Sequence, residues 1–102
     1  MRIKDWPSEE RPREKLLRYG ESQLSDAELL AILIKAGQPG RTAVDVAREA
    51  LRRSGGLRGL FDMDRRDIDA LPGFGPARFA ELRACLELSA RYLQSQLTRG
   101  HA

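Results

Sequence analysis

The sequence holds very few of the side chains on which disulfide, metal and nucleophilic chemistry depend. Cys85 is its only cysteine, so no disulfide can form within the chain. His101 is its only histidine and stands at the next-to-last position. Nucleophilic triads need a well-placed histidine, and a zinc hydrolase needs several protein ligands. We therefore expect that this chain is not an enzyme by itself and holds no metal or organic cofactor.

Long apolar runs are also missing. The longest apolar stretch, 29–34, is about a third of the ~18 residues that a membrane span needs. The start of the chain, residues 1–4, leads into no signal-peptide core. These absences predict a soluble, cytoplasmic protein without a membrane partner.

The net charge of +3 is modest but unevenly placed. Residues 1–51 carry nine basic and nine acidic side chains, whereas residues 52–102 carry nine basic and six acidic ones. Every basic residue of the second half is arginine, whose planar fork suits phosphate. Four aspartates at 62, 64, 67 and 69 lie in the same half. The charge pattern therefore favours a nucleic-acid partner only mildly.

Strand patterns are absent, and helix start and stop signals recur instead. Ser25 with Glu28, and Thr42 with Asp45, have the spacing of capping boxes, and Asp64 is placed to cap a further helix. These signals predict an all-α fold, a compact bundle of about five helices. The predicted helices cover 12–19, 26–36, 43–53, 65–71 and 76–97, with a short connection at 57–61.

This pattern predicts one helical domain over 12–97, preceded by an arm at 1–11 and followed by a frayed tail at 98–102. The second helix is apolar almost all round and should form the buried centre. In the first helix we expect Leu16, Leu17 and Tyr19 to face the core. In the last helix the expected core face is Phe79, Leu82, Leu86, Ala90 and Leu93.

A short glycine-rich turn between two of the predicted helices is the strongest candidate for a binding site. Gly73 and Gly75 flank one apolar residue, a composition that permits positive φ angles and close approach of another molecule to the backbone. A helix that starts at Pro76 would present unpaired amides and the positive end of its dipole. The segment 65–94 is therefore typical of a helix, a hairpin and a second helix that together hold a phosphate.

The predicted phosphate contacts come from the backbone around this turn and from nearby arginines. These candidate DNA-binding residues are Gly73, Phe74, Gly75, Pro76, Ala77, Arg78, Arg65 and Arg66. We expect the Phe74 side chain to be exposed, either as a wedge near a DNA groove or as an apolar anchor on a protein. The sequence does not decide whether a monovalent cation binds to the hairpin carbonyls. The alternative is a tight turn whose glycines only cap and reverse the chain.

The order hydrophobic, any residue, Gly, hydrophobic, Gly is met here by Leu71, Gly73, Phe74 and Gly75. It resembles the helix-hairpin-helix motif of DNA-repair proteins, in a domain similar to the second domain of RuvA. The motif usually has alanine four residues after the second glycine, where this chain has Phe79. That side chain either widens the crossing of the two helices or belongs to the core.

Taken whole, the chain resembles the N-terminal domain of the bacterial RadC family, the UPF0758 proteins. The segments that carry the resemblance are WPSEERPREKLLRYG at 6–20, LSDAELLAIL at 24–33, GGLRGL at 55–60 and PGFGP at 72–76. In that family the region precedes a larger JAB/MPN-type domain, which has the residue pattern of a zinc-binding site. No such domain is encoded here, so the resemblance implies a fragment or a truncated relative.

The resemblance implies a non-catalytic module of a DNA-repair-type protein, which binds DNA phosphates weakly and without sequence preference. The alternative is a helical protein-interaction or regulatory module that docks a JAB/MPN-type partner domain. The low net charge, the four aspartates and the Phe79 departure favour this alternative.

Overall fold

A computed structural model describes residues 11–35 and 39–99 of the chain. Most of the predicted arm and the predicted end of the second helix therefore lie outside the described residues. The described part contains six α-helices, one short 3-10 turn and no β-strand. The helices are α1 (Pro12–Tyr19), α2 (Asp26–Ile34), α3 (Ala43–Ser54), α4 (Leu57–Asp62), α5 (Arg65–Asp69) and α6 (Ala77–Arg99), and the 3-10 turn is Glu21–Gln23. The predicted all-α fold is confirmed. The segment 57–61, which was expected to be a short connection, is part of an additional helix, α4.

Both predicted capping boxes are present. At the start of α2, the Ser25 amide donates to Glu28 Oε1 at 2.9 Å, and the Glu28 amide donates to Ser25 Oγ at 3.2 Å. At the start of α3, the Thr42 amide donates to Asp45 Oδ2 at 2.9 Å, and the Asp45 amide donates to Thr42 Oγ1 at 3.1 Å. Each box satisfies helix amides that have no acceptor inside the helix, which fixes where α2 and α3 begin.

The core is built around the packing of α2 against α3. Alanines on both helices allow their backbones to approach closely, and Val46 and Ala47 have no exposed surface. Later elements cover this pair with larger side chains. The buried apolar residues of the cluster are Ala27, Leu30, Ala31, Ile34, Ala43, Val44, Val46, Ala47, Ala50, Leu60, Ile68, Leu71, Phe74 and Leu82. The prediction that the second helix forms the buried centre is confirmed.

Helix α1 lies at the edge of this core. Lys15 Nζ lies 3.1 Å from Glu28 Oε2 and links α1 to α2. Leu17 and Tyr19 were expected to face the core, but their side chains are 72% and 51% exposed. That expectation was wrong because a short peripheral helix needs only a narrow apolar stripe to pack against its neighbour.

A sharp reversal of the chain joins α3 to α4 and brings α4 into contact with α6. Gly55 ends α3 in the left-handed conformation at φ 83°, where glycine has no side-chain penalty. A Cβ on Gly59 would lie 1.8 Å from the carbonyl oxygen of Ser54, so α4 can fold against the end of α3 only with glycine there. This close approach seats Leu60 in the core with no exposed surface.

Helix α6 leaves the core after its first two turns. Leu82 is buried, and Phe79 is half-buried against the core cluster, which agrees with the interpretation of Phe79 as a core residue. The predicted core face was wrong beyond Leu82, because Leu86 is 36% and Leu93 60% exposed and Ala90 is exposed as well. The helix also continues to Arg99, two residues past its predicted end, so part of the predicted tail is helical.

Candidate nucleic-acid interface

The segment that joins α5 to α6 lies where the sequence places the candidate binding site. Asp64 caps α5, since its Oδ1 accepts from the Asp67 amide at 2.9 Å. Helix α5 ends at Asp69, two residues before the predicted end, and Ile68 anchors it in the core with 1% of its surface exposed. Residues 70–76 then reverse the chain into α6.

A single tight turn opens this segment. The Phe74 amide donates to the Leu71 carbonyl oxygen at 3.1 Å, and Gly73 has a φ of 83°. Proline at the second position and a positive-φ glycine at the third are typical of a type II β-turn. Gly75 does not share this conformation, so of the two glycines only Gly73 uses the positive φ that the sequence permits. A Cβ added to Gly75 would meet nothing within 4 Å, so its backbone stands open on that side.

The Phe74 side chain is buried, contrary to the sequence-based prediction. Its side chain was expected to be exposed, but it is 6% exposed and lies in the core cluster with Leu71 and Leu82. Burial of so large an aromatic surface is strongly favourable, and it pulls the middle of the turn onto the domain. The Phe74 side chain is therefore neither a wedge nor an anchor, and its amide is already bonded within the turn.

Three amides along the segment have no acceptor within the part of the chain that the structure describes. They belong to Gly73, Gly75 and Ala77. The two glycines are half-buried, and Ala77 and the neighbouring Pro76 are exposed. Ala77 begins a helix of 23 residues, whose N-terminus carries about half a positive charge. This combination of unpaired donors and positive potential suits an anion.

Arg78 lies next to these amides, but its side chain is turned back onto the protein. Its guanidinium Nη1 donates to the carbonyl oxygen of Ile34, the last residue of α2. Its Nε lies 2.7 Å from Glu81 Oε1, and the side chain is only 21% exposed. Sequence reasoning missed this contact because Ile34 and Arg78 are 44 positions apart and no local signal connects them.

The other two candidate arginines belong to α5 and face solvent. Arg65 is 70% exposed, with Nε 3.6 Å from Asp69 Oδ2. The Arg66 side chain is exposed and makes no ion pair or hydrogen bond within the described residues. Two carboxylates, those of Asp67 and Asp69, share this short helix and offset the two arginines. Along the chain, exposed arginines thus precede the turn, and amides without an acceptor in the described residues lie within and after it, at a local charge close to neutral.

The described residues contain neither a metal-ligand cluster nor a membrane-spanning helix. Across 11–35 and 39–99, no three histidine, cysteine, aspartate or glutamate side chains come together in a way that could hold a metal ion. No helix in those ranges is long and apolar enough to cross a membrane.

Comparison with known proteins finds close relatives of this chain. Residues 3–80 match the family model described as UPF0758 N-terminal. A UPF0758 protein of Azotobacter vinelandii is 55% identical over 102 residues, which are 100% of this chain and 46% of that protein. A UPF0758 protein of Alcanivorax borkumensis is 57% identical over 100 residues, which are 98% of this chain and 45% of that protein. No solved structure matches the chain.

The chain thus spans about half the length of the curated relatives that it matches. The matched region includes α1 to α5, the turn and the start of α6. By sequence and by extent of match, this chain belongs to the UPF0758 family, whose N-terminal region it contains.

Proposed function

We propose that this chain is a non-catalytic DNA-binding module of a DNA-repair-type protein, with a helix-hairpin-helix formed by α5, the turn and α6. The turn binds backbone phosphates of DNA through its amides, and the positive end of α6 adds to their attraction. The chain contributes no reaction of its own in this proposal.

The observation that carries the proposal is that the amides of Gly73, Gly75 and Ala77 have no acceptor among residues 11–35 and 39–99. Such donors in a folded protein are normally bonded to protein or to water, and an anion can replace that water. The burial of Phe74 supports the proposal, since a turn fixed to the core holds these amides in one arrangement. The hydrophobic positions of the motif are then core residues, and its glycines are the contact positions.

The charges around the turn predict weak binding. In this proposal Arg65 and Arg66 flank the phosphates, while the Arg78 side chain is largely occupied by its contacts with Ile34 and Glu81. With only two to four phosphates engaged, we expect a dissociation constant of roughly 10⁻⁴ to 10⁻⁵ M at physiological salt. Contacts to phosphates do not read bases, so we expect no sequence preference.

The test measures fluorescence anisotropy of labelled duplex, single-stranded and branched DNA at ~20 and ~150 mM salt. Gly75→Val is the informative variant, because it adds bulk beside the proposed phosphate at a position with free space and no positive φ. Ala84→Val is the matched control, at an exposed position two turns into α6. We expect Gly75→Val to abolish binding without unfolding the domain, and Ala84→Val to bind as the wild type does.

The salt dependence supplies a second test. Backbone amides carry no net charge, so only the phosphates neutralised by Arg65 and Arg66 should release counterions, and the slope of log affinity against log salt for duplex DNA should be roughly −2. Arg66→Ala should reduce the magnitude of that slope by about 1, because one phosphate contact is lost. Failure to bind any of the three DNAs at ~20 mM salt would refute the proposal and leave the glycines as turn residues. A folded Gly75→Val variant with unchanged affinity would remove the turn from the interface.

A further inference from the structure

The distal half of α6 has an apolar face that nothing in the described structure covers. We call Leu86, Ala90, Leu93 and Leu97 the distal stripe. At 100° per residue these side chains fall within an arc of about 60° on the helix. Leu86 is 36%, Leu93 60% and Leu97 61% exposed, and Ala90 is exposed too. The distal stripe is thus a continuous line of partly or largely exposed apolar side chains.

The distal stripe continues the face by which α6 packs onto its own domain. Phe79 falls within the same arc and Leu82 lies about 20° outside its edge, and both belong to the packing of the core cluster. Single exposed apolar residues are ordinary on a protein surface, but a line of them over three turns marks a surface that another element covers. A helix that extends about 25 Å beyond its packed turns is also marginal alone in water, so a partner along it would stabilise it.

The family match indicates where that partner comes from. The match to the UPF0758 N-terminal region stops at residue 80, two residues before Leu82, the last buried residue of α6. Similarity to the Azotobacter protein nevertheless continues over all 102 residues, which make up only 46% of that protein. The distal part of α6 therefore lies between the N-terminal family region and the remaining half of the relatives. We infer that the distal stripe is the docking surface for that remaining half, which follows the matched region in the relatives.

The size of the distal stripe favours an attached partner over a second copy of this chain. The stripe is about 17 Å long and ~10 Å wide, so it can bury a few hundred Å² on each side. An independently stable interface takes roughly 1,000 Å² or more in total. A domain attached to the same chain works at a millimolar effective concentration and can dock on a smaller surface. The end of α6 provides such an attachment point.

The side chains on either side of the distal stripe indicate the chemistry of the partner surface that would bind it. One border of the stripe carries Arg83, Glu87 and Gln94, and the other carries Ser89 and Gln96. These borders are nearly neutral, so the complementary surface is an apolar groove with polar edges and without a strong charge of either sign. The anchors at spacings of four, three and four residues are those of a helix lying in a groove.

The experiment joins this chain to the unmatched second half of the Azotobacter protein and measures hydrogen exchange by mass spectrometry. The backbone amide hydrogens of peptides from 84–99 should exchange at least about ten times more slowly in the hybrid than in the chain alone. Leu93→Glu in the hybrid should remove this protection, because it puts a charge on the stripe. Leu88→Glu is the matched control: Leu88 is 69% exposed and lies about 140° around the helix from Leu93. Protection should survive it.

Several results would overturn the inference. Equal exchange in the hybrid and in the chain alone would do so, as would equal losses of protection in the two glutamate variants. If the junction disturbs folding of the hybrid, the full-length Azotobacter protein and its own first half provide the same comparison. The chain alone should sediment as a monomer at ~100 µM. A dimer that Leu93→Glu dissociates would assign the distal stripe to a second copy instead. The inference is independent of DNA binding, because none of these measurements contains DNA.

Discussion

Replacement of Arg78 should destabilise the domain, because this side chain ties the turn to the end of α2. A hydrogen bond from a charged donor, such as that from Arg78 to the Ile34 carbonyl, contributes about 1.5–3 kcal/mol. The ion pair with Glu81, whose side chain is 42% exposed, adds less than about 1 kcal/mol. Arg78→Met keeps the apolar stem and removes only the polar contacts. We expect it to lower the free energy of unfolding by about 2 kcal/mol.

Thermal and urea unfolding followed by far-UV circular dichroism measure this loss. For a domain of this size, about 2 kcal/mol corresponds to a fall in Tm of roughly 8–16 °C. Arg66→Met is the matched control, since that exposed side chain has no partner within the described residues, and its free energy of unfolding should change by less than about 0.5 kcal/mol. A Tm for Arg78→Met within about 3 °C of the wild type would refute the anchoring role of Arg78.

Two further predictions concern backbone conformation and pH. Gly73→Ala should lower the free energy of unfolding by about 1–2 kcal/mol, because Gly73 has a φ of 83°. Gly75→Ala should change it by less than about 0.5 kcal/mol in the same urea titration, and equal effects would contradict the difference in φ. The backbone hydrogen bond from Thr42 lowers the pKa of Asp45 below its ordinary value of 3.8. The ionised Asp45 carboxylate therefore stabilises the fold above pH 3.8, and this contribution is lost as the pH falls through the lowered pKa. Asp45→Asn should therefore be less stable than the wild type by about 0.3–1 kcal/mol at pH 7, and the gap should close in acid; a gap that persists at about pH 2 would contradict this account.

Features set by neighbours in the sequence were predictable from the sequence. Ser25 and Glu28 form their capping box with partners three residues apart, and Gly20 and Gly55 end α1 and α3 as the sequence indicates. The position of the turn between α5 and α6 was predictable for the same reason, since Pro72 and the glycines that follow encode a turn locally.

Features set by distant contacts were not predictable. A turn sequence does not say on which side the domain lies, so the inward direction of Phe74 depends on the core cluster that residues distant in sequence form. Helical periodicity gave a face from Phe79 to Leu93, but it cannot tell how far neighbouring helices extend along that face. The partner of Arg78 is a carbonyl at the end of α2, and a backbone acceptor leaves no trace in residue identity.

The burial of Phe74 makes the turn between α5 and α6 a part of the core rather than a loop on its surface. A loop that becomes ordered on binding loses about 1–2 kcal/mol of conformational entropy per residue. A ligand that bound this turn would not lose that conformational entropy, because the turn is already ordered when the domain folds. The same connection acts in reverse. A substitution that loosens the packing around Phe74 shifts the neighbouring Gly73 and Gly75 without touching a ligand. In the proposed binding module, core packing and recognition at the turn would therefore not vary independently, and selection on one would change the other.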